Sequence, residues 1–144
     1  MRLLIASAIV VFASGTAFAQ SPAPDLKGTW TGTFQTVIYG HNPHHPGSET
    51  VANPPRVREI PFTVAVDGQE GNLLWGSAWS DPAQKDPFAA TFTPDGQTII
   101  GADSDGTINV TIAEDGRLNF CYSHTGLSPS GSIVATCGIL ARGE

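Results

Sequence analysis

From Gly28 onward the chain alternates. Trp30, Gly32, Phe34, Thr36 and Ile38 fall on one face, and Thr29, Thr31, Thr33, Gln35 and Val37 fall on the other. Period two with threonines facing out predicts a half-buried strand. The pattern returns at Ile60, Phe62, Val64 and Val66. It returns again where Leu73, Trp75, Ser77 and Trp79 alternate with Leu74, Gly76, Ala78 and Ser80. Phe88, Ala90 and Phe92 repeat it, as do the stretch 97–103, then Ile108, Val110 and Ile112, then Leu118, Phe120 and Tyr122, and finally 132–142. Asp-Gly recurs at 95, 105 and 115, and Asp-Gly between alternating runs is a strong hairpin signal. Eight strands are predicted, over about 28–39, 58–67, 73–80, 88–93, 97–103, 107–113, 117–123 and 132–142, with no helix after the leader. Sequential antiparallel strands with one apolar face each bury that face by curling into an all-β, eight-stranded up-and-down barrel, which leaves no open edge. A two-sheet sandwich is the alternative.

The pattern before Gly28 is different. Met1-Arg2 precedes an apolar run from Leu3 to Phe12, and the small-x-small ending is Ala17-Phe18-Ala19. This is the form of a secretory signal peptide over 1–19. The run is shorter than the ~20 residues of a membrane span, and an uncleaved anchor is the alternative. Residues 20–26 read as a flexible tether and 27–144 as a single domain. The expected product is secreted or periplasmic, with no membrane insertion once the leader is removed. Loss of Arg2 leaves six basic against thirteen acidic residues, a net charge of −7. That balance argues against nucleic acid, which needs a basic footprint. Oligomeric state is not legible.

Cys121 and Cys137 are the two cysteines. In an oxidising compartment such a pair more often forms a disulfide than a metal site, two buried thiols being the alternative. Cys121 is out of phase with Leu118, Phe120 and Tyr122, so it faces outward. A cross-strand bridge then turns Cys137 outward as well. Val134, Thr136, Gly138, Leu140 and Arg142 consequently face inward, and Ile139 becomes an exposed apolar residue. An inward arginine at a barrel mouth needs a partner. Trp30 on the neighbouring first strand supplies an indole face, a stacking worth ~0.5–2 kcal/mol.

Gly28-x-Trp30 on the first strand with Arg142 on the last resembles the shared signature of the calycin superfamily, which holds the lipocalins, fatty-acid-binding proteins and avidins. Gly28-Thr29-Trp30-Thr31 is most similar to the opening of avidin-type barrels. The resemblance implies an eight-stranded meander. It does not imply biotin, because the polar biotin contacts of avidins have no counterparts here, and the long loop 41–55 departs from them. The chain also resembles a class of small exported bacterial proteins in which Gly-Thr-Trp opens, Gln69-Glu70-Gly71 makes a turn, and Cys121-Tyr122 with Cys137-Gly138 closes. No activity is carried over from either group.

Three features could carry chemistry. His41, His44 and His45 sit in the Pro/Gly-rich stretch 41–55, where imidazoles could converge on zinc or copper with Glu49 or His124 as a further ligand. The spacing matches no metal motif, so solvated histidines are the alternative. Trp75 and Trp79, with Phe34, Phe62 and Tyr122, could line an aromatic pocket inside the barrel, or the aromatics could simply fill it. Inward Thr36, Ser77 and Thr136 favour a ligand, because buried hydroxyls need partners. No catalytic motif and no cofactor motif is met. The expected function is a non-catalytic binding module for a small apolar or aromatic ligand. The alternative is an inhibitor of a protease or lysozyme acting through protruding loops at 41–55 and 81–87.

Overall fold

A computed structural model describes residues 23–40, 55–125 and 131–143. The proposed leader at 1–19 and the His41, His44 and His45 cluster, with Glu49, lie outside the described residues. Eight strands form a closed antiparallel barrel in simple chain order. They are β1 (Gly28–Tyr39), β2 (Arg56–Glu70), β3 (Leu73–Asp81), β4 (Gln84–Phe92), β5 (Thr98–Ala102), β6 (Gly106–Ile112), β7 (Leu118–His124) and β8 (Ile133–Arg142). Closure comes from β1 pairing with β8, where Trp30 stands opposite Arg142 and Ile38 opposite Val134. The sandwich is thereby excluded. Among the described residues no helix is long and apolar enough to cross a membrane.

The hairpins divide the barrel into two ends. At the lower end, the turns after β4 and β6 are built alike. Gly96 N–H donates to the Thr93 carbonyl and Gly116 N–H to that of Ala113, and both glycines take positive φ. Such a turn ending on a left-handed residue matches the right-handed twist of the flanking strands. Asp95 and Asp115 accept the N–H groups of Gln97 and Arg117. The third Asp-Gly is different: Gly106 already belongs to β6. Its turn is tied instead by Asp103, whose Oδ1 accepts the N–H groups of Asp105 and Gly106 at 2.9 and 2.7 Å.

The lower half is filled. Trp30, Phe34, Val64, Val66, Leu74, Phe92, Val110, Leu118 and Leu140 are all buried there. Residues 23–26, expected to belong to a flexible tether, are held against the barrel. Leu26 is buried in the core, its N–H donates to Gln69 Oε1, and Gln69 Nε2 donates to the Pro24 carbonyl. Trp30 Nε1 donates to the Leu26 carbonyl at 2.9 Å. Arg142 lies over the Trp30 ring and donates to the carbonyls of Lys27 and Asp25. A buried apolar side chain and four backbone groups with partners explain why this short segment is ordered.

Cys121 and Cys137 are opposite one another in the β7–β8 ladder and form a disulfide, with Cα atoms 4.2 Å apart. Val134, Thr136 and Leu140 are buried and Ile139 is exposed, which is the phase the bridge demands.

Strand bounds differ from expectation in two places. β2 continues past Asp67 through a bulge between Val66 and Gly68, and the chain turns only after Glu70. Residues 81–87, expected as a loop, form a tight hairpin in which β4 begins at Gln84. Pro87 does not break this strand, because the β4–β5 ladder reaches only Ala89 opposite Ala102. The missing N–H therefore costs no ladder bond on that side. Pro61 is placed likewise, beyond the end of the β2–β3 ladder at Thr63.

Candidate functional site

The upper half of the barrel is also largely packed, with Ile38, Thr36, Val134 and Ser132 buried, but a small space remains open in it. A cup opens at the end away from Trp30 and Arg142, lined by the apolar side chains of Ile60, Phe62, Ala78, Ile108, Phe120 and Val134 together with polar side chains. Its volume is about 50 Å³. One water needs only ~10–15 Å³, so the cup takes a body of several heavy atoms.

The floor is aromatic. Phe34 is wholly buried and stacks on Phe62 with centroids 4.5 Å apart, and Phe120 tilts against both at 5.6 and 5.8 Å. Phe62 and Phe120 line the cup, and Phe34 packs against both without lining it. Three rings from β1, β2 and β7 meet here because their strands are neighbours across the closure or curve over it. Phe34 also needs Gly138 opposite it on β8, since a Cβ at 138 would fall inside its ring.

Tyr122 and Trp79 line the cup, and Trp75 does not. Trp75 is 47% exposed on the outer wall, where it lies across the bare backbone of Gly68. The inward residues of β3 are instead Leu74 and Ala78. Gly68 at the bulge, opposite Trp75 in the β2–β3 ladder, offers the indole a seat on the outside. Trp79 shares Trp75's phase, but the β3–β4 register shifts between Ala78 and Asp81. At that irregularity its ring reaches the rim, with Lys85 Nζ 4.2 Å from the ring centroid. Ser77 goes outward with the tryptophans. Thr36 and Thr136 do face in, but they satisfy each other at 2.6 Å, and Thr136 also donates to the Gln35 carbonyl. Of the two, only Thr136 lines the cup.

The rim carries Ser80, Gln84, Asp86, Asp103, Asp105, Tyr122 and His124. A chain of contacts runs through it. Tyr122 Oη lies 3.1 Å from Asp103 Oδ1 and 3.4 Å from His124 Nδ1, and His124 Nε2 lies 2.7 Å from Ser132 Oγ. A carboxylate only accepts, so Tyr122 donates to Asp103 and its oxygen receives the Nδ1 proton of His124. In the neutral imidazole Nε2 then accepts from the Ser132 hydroxyl. Both ring nitrogens of His124 are thus engaged by hydroxyls, which argues against the metal role considered for it. No group of three metal-ligating side chains occurs among the described residues. Burial pushes the Tyr122 phenol above its ordinary range, and the negative charges of Asp103, Asp105 and Asp86 add to this.

The pairing of Ser132 with His124 has the look of a nucleophile and its base. Ser132 is fully buried, however, and it does not line the cup. A molecule in the cup meets the imidazole and not the serine. The pair ties the start of β8 to the end of β7 and fixes the ring that orients Tyr122.

Sequence reasoning missed Asp103 and the cup-facing role of His124. Asp103 reads as one of many turn carboxylates. His124 stands out only once Leu118, Phe120, Tyr122 and His124 are counted as one inward series. No family model matches the chain, and comparison with curated proteins and with solved structures finds no significant similarity.

Proposed function

We propose that the protein is a non-catalytic binding barrel that holds a small molecule in the cup between Phe62, Phe120 and the Tyr122 rim. One observation carries this reading: the Trp30 end is closed by packed side chains, while a small cup lined by Phe62 and Phe120 stays open toward the other end. Interiors close-pack to crystal-like density and hold few voids larger than a water molecule. A concave apolar floor with a few convergent polar groups is the form of a small-molecule site. The disulfide fits an oxidising compartment and hence an exported protein. The inhibitor reading is weaker, because residues 81–87 form a tight hairpin and not a protruding loop.

Native mass spectrometry of the protein purified from its source tests this. A bound small molecule should appear and should be lost in Ala78→Leu, which fills the cup from β3. Protein that is empty from its source, and that shows no change at Trp79 or Tyr122 across a library of small aromatics, overturns the reading.

A further inference from the structure

Resting on that reading of the cup, we infer that its ligand is a compact, uncharged ring compound that donates a hydrogen bond, through an O–H or a ring N–H, to the second oxygen of Asp103. Protons and lone pairs on the cup wall set this class. Thr136 donates to the Gln35 carbonyl, so the 2.6 Å contact beside it is a bond donated by Thr36. Tyr122 donates to Asp103, and the two nitrogens of His124 face Tyr122 and Ser132. The protons of these hydroxyls and of the imidazole are thus committed inside the protein. What Thr136 and Tyr122 have left to offer a ligand is oxygen lone pairs.

Asp103 adds the strongest acceptor. Its Oδ1 takes two backbone N–H groups and the Tyr122 hydroxyl, which fixes the carboxylate in place. Asp103 is half-buried and lines the cup. Among the described residues its Oδ2 receives no hydrogen bond, and no lysine or arginine pairs with it. A half-buried carboxylate oxygen is thereby left as an acceptor without a donor, and a hydrogen bond to an ionised acceptor is about twice as strong as a neutral one. Net charge does not sort the ligand. Asp86 and Asp105 line the same mouth and have partners of their own. Arg56 and Arg58 share the phase of Ile60 on β2, and Lys85 stands over the Trp79 ring. The mouth therefore carries both signs, while the apolar wall of Phe62 and Phe120 disfavours a charged body. Ser80 and Gln84 are engaged as well. A ligand with acceptors alone would set its oxygen against those of Asp103, Tyr122 and Thr136, whereas one donor satisfies Asp103.

The test uses two pairs of one-ring probes matched in size, pyrrole against furan and phenol against fluorobenzene; only the first of each pair carries a donor. They are titrated at neutral pH and read by NMR from the indole N–H of Trp79, which lines the cup and makes no hydrogen bond among the described residues. Pyrrole and phenol should each bind roughly tenfold tighter than their partners. Asp103→Asn keeps one oxygen for the backbone N–H groups and replaces the other by an N–H donor, so the preference for pyrrole and phenol should disappear. Tyr122→Phe, which removes the neighbouring lone pairs, should keep the preference, and it decides with the wild-type ratios where Asp103→Asn does not fold. If either donor fails to outbind its partner, if Asp103→Asn retains the preference, or if Tyr122→Phe abolishes it, the donor proposal is wrong and the cup reading stands. If no probe moves the Trp79 signal, the cup reading fails and the donor proposal fails with it.

Discussion

The guanidinium carbon of Arg142 lies 4.6 Å from the centroid of the Trp30 indole, and the two residues are direct partners in the β1–β8 ladder. The same side chain reaches two carbonyls of the incoming segment, those of Lys27 and Asp25. One arginine therefore joins the first strand, the last strand and the chain that precedes the barrel. Trp30→Ala should cost about 3–5 kcal/mol of stability, the range for removing a buried indole. Arg142→Lys keeps the charge but not the planar fork, and should cost about 1–2 kcal/mol. Urea unfolding measures both. Neither change should alter binding in the cup, which lies at the other end, and a Trp30→Ala protein with an unchanged midpoint contradicts the closure role.

Gly138 exists for Phe34. A Cβ at 138 would sit inside the Phe34 ring and 2.7 Å from the Thr33 carbonyl oxygen. Phe34 cannot withdraw, because it is wholly buried and stacked on Phe62. Gly138→Ala should therefore cost about 3 kcal/mol, the upper part of the usual overpacking range. Gly116→Ala meets no atom within 4 Å and opposes only a φ of +81°, so it should cost about 1–2 kcal/mol. Thermal and urea unfolding give the order of the two. The reverse order means that the ring has room to move.

The barrel was legible because its signals are local. Alternation marks a strand whatever it packs against, and chain-order pairing follows from short hairpins. The phase of β8 was legible for a sharper reason: a cross-strand cystine admits only one face, so Cys121 and Cys137 settle where Thr136, Leu140 and Arg142 point. The site was less legible because it depends on volume. Nothing local in Leu73–Trp79 tells whether Trp75 or Leu74 turns inward. The indole's outer seat depends on a bulge in the neighbouring strand that leaves Gly68 bare on the outside. The pairing of Tyr122 with Asp103 bridges nineteen residues, and only the tilt of the strands brings the turn over the phenol.

The cystine closes a sequence separation of 16 residues on the last hairpin. In the chain-entropy account a loop of this length stabilises by about 3 kcal/mol, mainly by restricting the unfolded chain. Its position on the outer face means that the thiols leave the inner packing undisturbed. Reduction, or a Cys121→Ser and Cys137→Ser pair, should lower the unfolding free energy by about that amount and leave the far-UV spectrum of the native state unchanged. Denaturant curves with and without reductant give the difference, and a native spectrum that collapses on reduction shows that the bridge holds the fold itself.

Tyr122 should make the barrel sensitive to alkali. Burial is the largest cause of its raised titration, followed by the charge of Asp103 and the hydrogen bond that it donates there. The folded state thus holds the phenolic proton to higher pH than the unfolded chain, where a tyrosine ionises near about 10. Above that pH the unfolded chain has lost a proton that the folded chain keeps, so the unfolding free energy must fall as pH rises. The contribution is complete below about pH 10 and declines from there upward. Urea midpoints taken from about pH 9 to about pH 11 should decrease in the wild type and stay flatter in Tyr122→Phe. The chain has two tyrosines, so Tyr39→Phe leaves Tyr122 as the one phenol to follow by absorbance. Its phenolate signal should rise together with loss of the β-sheet spectrum. A phenolate that forms near pH 10 in a barrel still folded would show that Tyr122 is open to solvent and unpaired, and would remove the acidic rim's hold on it.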